Sequence, residues 1–228
     1  MNKSSEKTQK NGKRFPGFFI VQAWLVLLLA SFFGAALAGI QLTLAPKIEA
    51  NKLNETLEKV PELILGEEAA RTFADSGRTM AVDRQFITAG AKIYSVFKAG
   101  VDKQTAGWVI KAAGQGYADK IELLVGVDNT VSTITGLFIL DQKETPGLGN
   151  KIMEPDWRGQ FSGKPAAKPL KAVKTQADAV DEINAITGAT ISSKAVCDIV
   201  NQSLKNLKQP LADAVKHPTA AGNPQEKN

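Results

Sequence analysis

The sequence has very little of the chemistry on which most catalytic sites depend. It contains one cysteine, Cys197, and one histidine, His217, in 228 residues. A single cysteine excludes an intrachain disulfide, and one cysteine with one histidine cannot supply a conventional zinc site. A Cys–His catalytic pair is not expected either, because His217 lies in a polar tail without a core to hold it. We therefore expect no metal site and no catalytic residue, and we interpret Cys197 as a buried small side chain.

Positive charge is concentrated at the start of the chain. The net charge is +5, and residues 1–14 hold five basic side chains against one glutamate, so that the rest of the chain is close to neutral. A nearly neutral folded part is not expected to bind nucleic acid. A basic segment beside an apolar run indicates membrane topology instead, and we expect residues 1–14 to form a cytoplasmic tail.

An uncharged run extends from Phe15 to Leu44. About 20 apolar residues cross a bilayer core, so residues 15–44 are predicted to form a transmembrane helix in contact with membrane lipid. The alternative is a cleaved signal peptide, because residues 36–38 (Ala-Leu-Ala) resemble a cleavage site, although the apolar region of a signal is only about 7–15 residues long. Under both interpretations the basic tail predicts that residues from about 46 lie outside the cytoplasm, on the periplasmic side of the inner membrane.

The rest of the chain is predicted to form one domain with short attachments. A juxtamembrane helix is expected over 45–66, with Pro46 in its first turn and a break at Pro61. The domain covers residues 67–208, and residues 209–228 are expected to form a disordered tail because they are polar and contain Pro218 and Pro224.

Within the domain the pattern predicts an α+β fold with a small antiparallel sheet and flanking helices. Residues 67–90 have no clear pattern. Strands are predicted over 92–98, 107–112, 120–127 and 131–140, with a hairpin turn at 128–130. Helices are predicted over 176–183 and from Thr190 onward, where apolar residues recur at helical spacing.

The segment Thr187-Gly188-Ala189-Thr190 stands where a loop turns into the last helix. Unpaired N–H groups and the positive end of the helix dipole favour a phosphate at such a position. Gly188 lets the backbone approach a ligand closely, and the Thr187, Ser192 and Ser193 hydroxyls can donate further hydrogen bonds. The alternative is an ordinary Ser/Thr helix cap after a glycine turn.

A second motif, Glu144-Thr145-Pro146-Gly147-Leu148-Gly149, follows the predicted hairpin. A loop with a rigid entry and two flexible points can lay its backbone against a flat ligand, although it also fits a plain turn at the end of a strand. Trp157 and Phe161 lie shortly after it, and we interpret them as core residues rather than as the wall of a ring site.

In combination these features resemble a known family. The anchor, Gly116-Tyr117, the hairpin, the 144–149 loop, the Trp157–Phe161 segment and the 187–190 motif occur here in the order found in the FMN-binding domain of the G subunit of the Rnf electron-transport complex. The C subunit of the sodium-pumping NADH:quinone reductase is a close relative. The resemblance implies that FMN is joined through its phosphate to the hydroxyl of Thr190 by a flavin transferase that uses FAD.

With FMN held at Thr190, the two motifs themselves predict which residues surround the cofactor. We expect the phosphate end to be bound by Thr187, Gly188, Ala189, Thr190, Ser192 and Ser193. We expect the ring side to be bound by Glu144, Thr145, Gly147, Leu148 and Gly149. One position departs from the family pattern, because Asn184 stands where an aspartate often precedes the 187–190 motif. The departure bears on how efficiently flavin is attached and not on which residue accepts it.

The function implied is a redox relay rather than a complete enzyme. The chain would pass electrons through covalent FMN inside a membrane complex that couples ferredoxin and NAD to Na⁺ or H⁺ transport, with the other subunits of that complex as partners. Three alternatives stay open: a C-type subunit of a quinone reductase, an anchored FMN carrier for another reductase, and a flavin-free binding module that kept the fold.

Overall fold

A computed structural model describes residues 17–102 and 104–216. The predicted basic tail (1–14) and His217 lie outside the described residues. The chain divides into two compact units, one ending at Asn51 and one beginning at Lys52, which are described separately. The predicted domain boundary was residue 67, so the structure assigns fifteen more residues, 52–66, to the unit that holds the sheet.

The first helix, α1 (Gly17–Leu65), includes most of the predicted transmembrane run. In the described part of the chain it is the one helix long and apolar enough to cross a membrane. Its apolar side chains are exposed, as Leu27, Phe32 and Leu37 illustrate. An exposed apolar surface of this length is what a helix surrounded by lipid requires.

The prediction of a separate juxtamembrane helix broken at Pro61 was wrong. Residues 45–65 belong to α1, which continues through Pro61 to Leu65. Proline inside a helix removes one backbone hydrogen bond, but Val60, Leu63 and Ile64 beside it are buried in the second unit. Burial of these apolar side chains offsets the lost hydrogen bond, since each contributes about 1.5–3 kcal/mol.

The second unit is built on a five-stranded antiparallel meander. Its strands are β1 (Ala81–Ala89), β2 (Lys92–Val101), β3 (Gln104–Gln115), β4 (Lys120–Asp128) and β5 (Ile134–Asp141), paired in chain order. The predicted strands are confirmed with changed ends, and the predicted turn at 128–130 joins β4 to β5 through a hydrogen bond from Val131 N to Asp128 O (3.2 Å). The unassigned stretch 67–90 contains α2 (Glu67–Asp75) and β1.

Side chains alternate between the two faces of this sheet, and each face packs on a helix. One face carries residues such as Val96, Ile110 and Leu123, which form a core with α4 (Thr190–Lys216). The other face carries Phe97, Val109 and Leu124, which pack with Val60, Leu63 and Ile64 of α1. The period of two along each strand produces this arrangement of a sheet between two helices.

A connecting segment covers residues 142–189 and carries the 144–149 motif and the first three residues of the 187–190 motif. It contains a short 3₁₀ turn (Gly149–Met153), α3 (Pro155–Gly159), β6 (Lys171–Val173) and β7 (Glu182–Asn184), the last two forming a small parallel ladder. The Trp157 and Phe161 rings pack edge to face, with centroids 5.2 Å apart, and are 7% and 0% exposed. Their interpretation as core residues is therefore confirmed.

Two further predictions were wrong. Residues 176–183 do not form a helix, because Glu182 Oε2 accepts hydrogen bonds from the Asp178 and Ala179 N–H groups (3.0 and 3.2 Å) and Ile183 is buried in β7. The expected disordered tail does not begin at 209, because α4 continues through Pro210 to Lys216 and Leu211 is fully buried. Residues 217–228 lie outside the described part.

Candidate functional site

An open cavity of about 740 Å³ lies at the N-terminus of α4. Its size is within the range of ligand and cofactor sites. Residues from both sequence motifs line it, together with residues from two other segments. The lining consists of Tyr117, Thr145, Leu148, Gly149, Lys174, Ala185, Ile186, Thr187, Gly188, Ala189, Thr190, Ile191 and Ser192.

The first turn of α4 forms one wall of the cavity. Thr190 begins the helix and is half-buried. Gly188 immediately before it has a φ of +81°, a conformation that L side chains rarely adopt. Ala189 is only 6% exposed, and its N–H donates to the carbonyl oxygen of Ile186 at 2.9 Å. The Thr190 side chain therefore starts from a rigid turn at the positive end of a helix dipole.

A contact between Gly188 and Leu148 brings the two motifs together. A Cβ atom on Gly188 would lie 2.9 Å from Leu148 Cδ2, which is closer than van der Waals contact. Leu148 is 43% exposed, and with Thr145 and Gly149 it lines the cavity beside the 187–190 segment. The absence of a side chain on Gly188 thus lets the loop and the helix turn share one cavity.

Glu144 does not line the cavity, in contrast to the expectation that it contacts a ring. Its side chain is 4% exposed and points into the protein. Oε2 accepts a hydrogen bond from the Ser192 hydroxyl at 2.5 Å, and Oε1 accepts one from the Ala118 N–H at 3.1 Å. These two donors hold the carboxyl behind the cavity wall.

Two other expected site residues are also absent from the lining. Ser193 is fully buried, where its hydroxyl donates to Ala189 O (3.0 Å) and accepts from the Ile186 N–H (3.0 Å). The Ser193 hydroxyl therefore stabilises the 186–189 turn rather than facing a ligand. Gly147 has a φ of +76° with open space around it, so it serves the turn of the loop.

The structure adds residues to the site that the sequence reasoning did not select. Tyr117 is 61% exposed and comes from the turn between β3 and β4, where the Gly116-Tyr117 pair was the available signal. Ala185, Ile186 and Ile191 flank the 187–190 motif in the chain. Lys174, which follows β6, is the single charged residue among the lining residues that the structure describes. No local sequence pattern distinguishes Lys174 from its neighbours.

The described lining combines a helix N-terminus and Lys174 with apolar side chains such as Leu148 and Ile186, and it includes no Asp, Glu or His side chain for acid–base chemistry. The described residues contain no group of three His, Cys, Asp or Glu side chains placed to hold a metal ion. Cys197 is buried, as predicted, and burial raises the pKa of its thiol to about 12. A thiol that stays protonated at neutral pH is not a nucleophile.

Comparison with known proteins gives the fold and the cavity a family context. The FMN-binding domain family matches residues 116–205. The solved structure of NqrC from Shewanella oneidensis superposes with a TM-score of 0.59 over 73% of this chain and 99% of that one, at 18% identity. The C subunit of the Na(+)-translocating NADH-quinone reductase from Parabacteroides distasonis gives a TM-score of 0.56 over 69% and 92%, at 24% identity. These likenesses establish a shared fold.

All the described residues that line the cavity lie within residues 116–205, the segment that matches the FMN-binding domain family, so the class of protein is one with an FMN-binding domain. The G subunit of the ion-translocating oxidoreductase complex of Pasteurella multocida is 33% identical over 83% of this chain and 93% of its own length. The chain belongs to the family of these G subunits. The G subunit of the Na(+)-translocating ferredoxin:NAD(+) oxidoreductase complex of Acetobacterium woodii is 41% identical over 45% of this chain, and the match spans about half (49%) of that protein.

Proposed function

We propose that this chain is a membrane-anchored flavoprotein subunit that relays electrons through FMN in an Rnf-type, ion-translocating ferredoxin:NAD oxidoreductase complex. It would be a redox subunit of that translocase and not a complete enzyme. The observation that carries the proposal is the cavity in which Thr190, at the start of α4, meets the 145–149 loop. The family relationship to G subunits gives the complex in which such a protein would work.

The residues present fit FMN. Its phosphate is an anion, and the cavity supplies a helix N-terminus and Lys174 as its sole formal charge among the described lining residues. Its ring is flat and largely apolar, and Tyr117, Leu148 and Ile186 provide apolar surface. Gly188 keeps the wall of the cavity low beside Leu148, because a Cβ atom there would lie 2.9 Å from Leu148 Cδ2.

We propose that Thr190 carries the cofactor covalently. The Thr190 hydroxyl oxygen would attack the phosphorus on the FMN side of FAD, in a reaction that a flavin transferase catalyses. An oxygen–phosphorus bond to Thr190 forms, the bond to the bridging pyrophosphate oxygen breaks, AMP leaves and the hydroxyl proton is lost to solvent. The resulting phosphodiester keeps one negative charge, which the first turn of α4 stabilises.

When bound, FMN would supply the electron-transfer chemistry of the subunit, while the protein fixes its position and tunes its environment. Thr187, Gly188, Ala189 and Ser192 would surround the phosphate end, and Thr145, Leu148 and Gly149 would face the ring. A covalent link prevents loss of the cofactor by dissociation, which matters for a domain outside the cytoplasm. The basic residues before α1 support a cytoplasmic N-terminus and a domain on the periplasmic side.

A C-type subunit of a sodium-pumping NADH:quinone reductase is the second candidate, favoured by the fold shared with NqrC. The sequence relationship favours the G-type assignment, because the Pasteurella match covers 93% of that relative, whereas the NqrC likeness is 18% identical. Affinity purification of the tagged chain from its native membrane, with mass spectrometry of the proteins that accompany it, separates the two assignments.

Peptide mass spectrometry tests the attachment site. The full chain is produced as wild type, Thr190→Ala and Thr175→Ala. Each is made with and without a flavin transferase that uses FAD as its donor. Thr175 is an exposed threonine that does not line the cavity and is the matched control. We expect an FMN adduct on the peptide containing Thr190 in the wild type and in T175A, and none in T190A. An adduct that persists in T190A would overturn the site assignment.

A further inference from the structure

Glu144 is a buried carboxyl that joins three segments of the chain. It belongs to the loop that continues into 145–149, and it accepts one hydrogen bond from Ser192 in α4 and one from Ala118 in the turn after β3. In the described part of the chain no lysine or arginine forms an ion pair with it. Its partners are thus two neutral donors, and hydrogen bonds of this kind to an acidic group are among the strong ones.

Two glycines make room for this carboxyl. A Cβ atom on Gly149 would lie 2.8 Å from Glu144 Cβ and 2.9 Å from Ser192 Oγ. A Cβ atom on Gly116 would collide with Glu144 Oε1 and lie 2.7 Å from Asp119 O. Both glycines are close to the cavity, since Gly149 itself lines it and Gly116 precedes a lining residue in the chain. The close packing around Glu144 therefore depends on the absence of side chains at two separate positions.

We propose that Glu144 is a positioning residue for the flavin. Through Ser192 and Ala118 it would fix the first turn of α4, the 145–149 loop and the turn carrying Tyr117 relative to one another. It would thereby set where a cofactor held at Thr190 places its ring. This inference rests on the proposed function, and it replaces the expectation that Glu144 contacts the ring directly.

The burial of the two side chains supports a role in positioning rather than in ligand contact. Glu144 is 4% exposed and Ser192 is 2% exposed, and Glu144 is absent from the cavity lining. Ser192 does line the cavity, two residues after Thr190. A movement of Ser192 would therefore reach the wall of the site, and interior groups with satisfied hydrogen bonds resist such movement.

Three variants separate hydrogen bonding from charge. Glu144→Gln keeps both contacts, because the amide oxygen can accept from Ala118 and the amide nitrogen can donate to the Ser192 oxygen. Glu144→Ala removes both, and Ser192→Ala removes the link to α4 while keeping the Ala118 contact. Glu154→Gln is the matched control, because Glu154 is exposed and its side chain caps no helix N–H.

The first measurement follows the flavin. The full-length variants are treated with the flavin transferase and FAD, and the initial rate of adduct formation, the visible absorption maximum and the reduction potential are recorded. We expect E144Q and E154Q to match the wild type, and E144A and S192A to react roughly tenfold more slowly and to show shifted absorption and potential. Wild-type behaviour in E144A would overturn the proposal. An E144Q variant as defective as E144A would also overturn it, because the negative charge of Glu144, and not its hydrogen bonds, would then account for the defect.

The second measurement does not depend on flavin. Hydrogen–deuterium exchange of the full-length chain, made without transferase, is followed in peptides that contain Ala118 and Ser192. We expect faster exchange at Ala118 in E144A than in the wild type and E144Q, with the sheet unaffected. Unchanged exchange would overturn the positioning role even if no variant accepts flavin. If the wild type forms no adduct while E144A still exchanges faster at Ala118 than the wild type and E144Q, the proposed function alone is contradicted.

Discussion

The indole nitrogen of Trp157 donates a hydrogen bond to the backbone carbonyl oxygen of Asn184 at 2.8 Å. The Asn184 N–H in turn donates to Gln160 Oε1 at 2.7 Å. Two residues from the α3 region therefore hold the backbone three residues before Thr187. Because Trp157 is buried in the core, this pair of hydrogen bonds connects the core to the start of the cavity wall.

The side chain of Asn184 has its own structural task, which leads to a first prediction. Its Oδ1 accepts a hydrogen bond from the Ala177 N–H at 2.7 Å. Aspartate offers an oxygen in the same place, so Asn184→Asp should leave the rate of flavin attachment within about twofold and stability within about 0.5 kcal/mol. Asn184→Leu removes the acceptor and should lower stability by about 1 kcal/mol. Thermal unfolding and the time course of the Thr190 adduct measure both effects.

This prediction bears on the departure from the family pattern at residue 184. If the carboxylate that the resemblance leads us to expect at this position acts chiefly as a hydrogen-bond acceptor, asparagine replaces it without loss. A flavin attachment rate that rises tenfold or more in Asn184→Asp would contradict this and would assign the position a role that needs negative charge.

A second prediction concerns the contact between Gly188 and Leu148. Gly188→Ala introduces a side chain at a φ of +81° and places its Cβ 2.9 Å from Leu148 Cδ2. Gly163→Ala is the matched control, because Gly163 has a φ of +78° with nothing within 4 Å. Both variants should lose about 1 kcal/mol from the backbone conformation, and G188A should lose about 1 kcal/mol more from the clash.

Denaturant unfolding of the two glycine variants, followed by circular dichroism, measures this difference. Adding Leu148→Ala to G188A should recover the additional loss while leaving the backbone cost in place. Equal stability of G188A and G163A would mean that Leu148 moves aside without cost, and the two motifs would then not be held against each other.

The fold was predictable where local patterns and tertiary burial agree. The run Lys120–Asp128 is rich in strand formers, and six of its nine residues are buried, mostly in the two cores of the sheet, so its strand could be predicted directly. The final helix was visible because its apolar residues recur at the spacing that packs it on the sheet. The glycine turn at Gly188 and the start of the helix at Thr190 could be located for the same reason, because both are local features of the chain.

The rest depended on contacts between residues far apart in the chain. Ala177, Val180 and Ile183 have helical spacing, yet Val180 is 61% exposed while Ile183 is buried in a ladder with residues 171–173. Glu144 was predicted to contact the ring because the sequence gives its position in the motif but not the orientation of its side chain. Its direction is set by Ser192, which lies 48 residues later.

A third prediction concerns the reactivity of Cys197. The thiol is 1% exposed, and burial raises its pKa to about 12. A raised pKa keeps the thiol protonated at pH 8, and its burial also keeps the reagent away from the sulfur. Iodoacetamide at pH 8 should therefore leave the native protein unlabelled and label it fully after denaturation. Rapid labelling of the native protein, measured by mass spectrometry, would show that α4 opens around Cys197.

A last prediction concerns Lys174, which brings the cavity its positive charge. Lys174 is exposed, so its attraction for a phosphate is partly screened, and its removal should weaken rather than abolish flavin loading. Lys174→Met should slow the transferase reaction at Thr190 a few-fold at low salt, which corresponds to about 1 kcal/mol or less. Lys168→Met is the matched control, because Lys168 is an exposed lysine outside this cavity.

Ionic strength gives the sharper form of the Lys174 test. The wild-type rate should fall as salt is raised from about 10 mM to 1 M, because the Debye length shrinks from about 30 Å to 3 Å. The K174M rate should depend less on salt and meet the wild-type rate at the high end, whereas K168M should follow the wild type throughout. Parallel salt profiles for K174M and the wild type would mean that Lys174 does not face the phosphate, and that the start of α4 alone supplies the field that holds it.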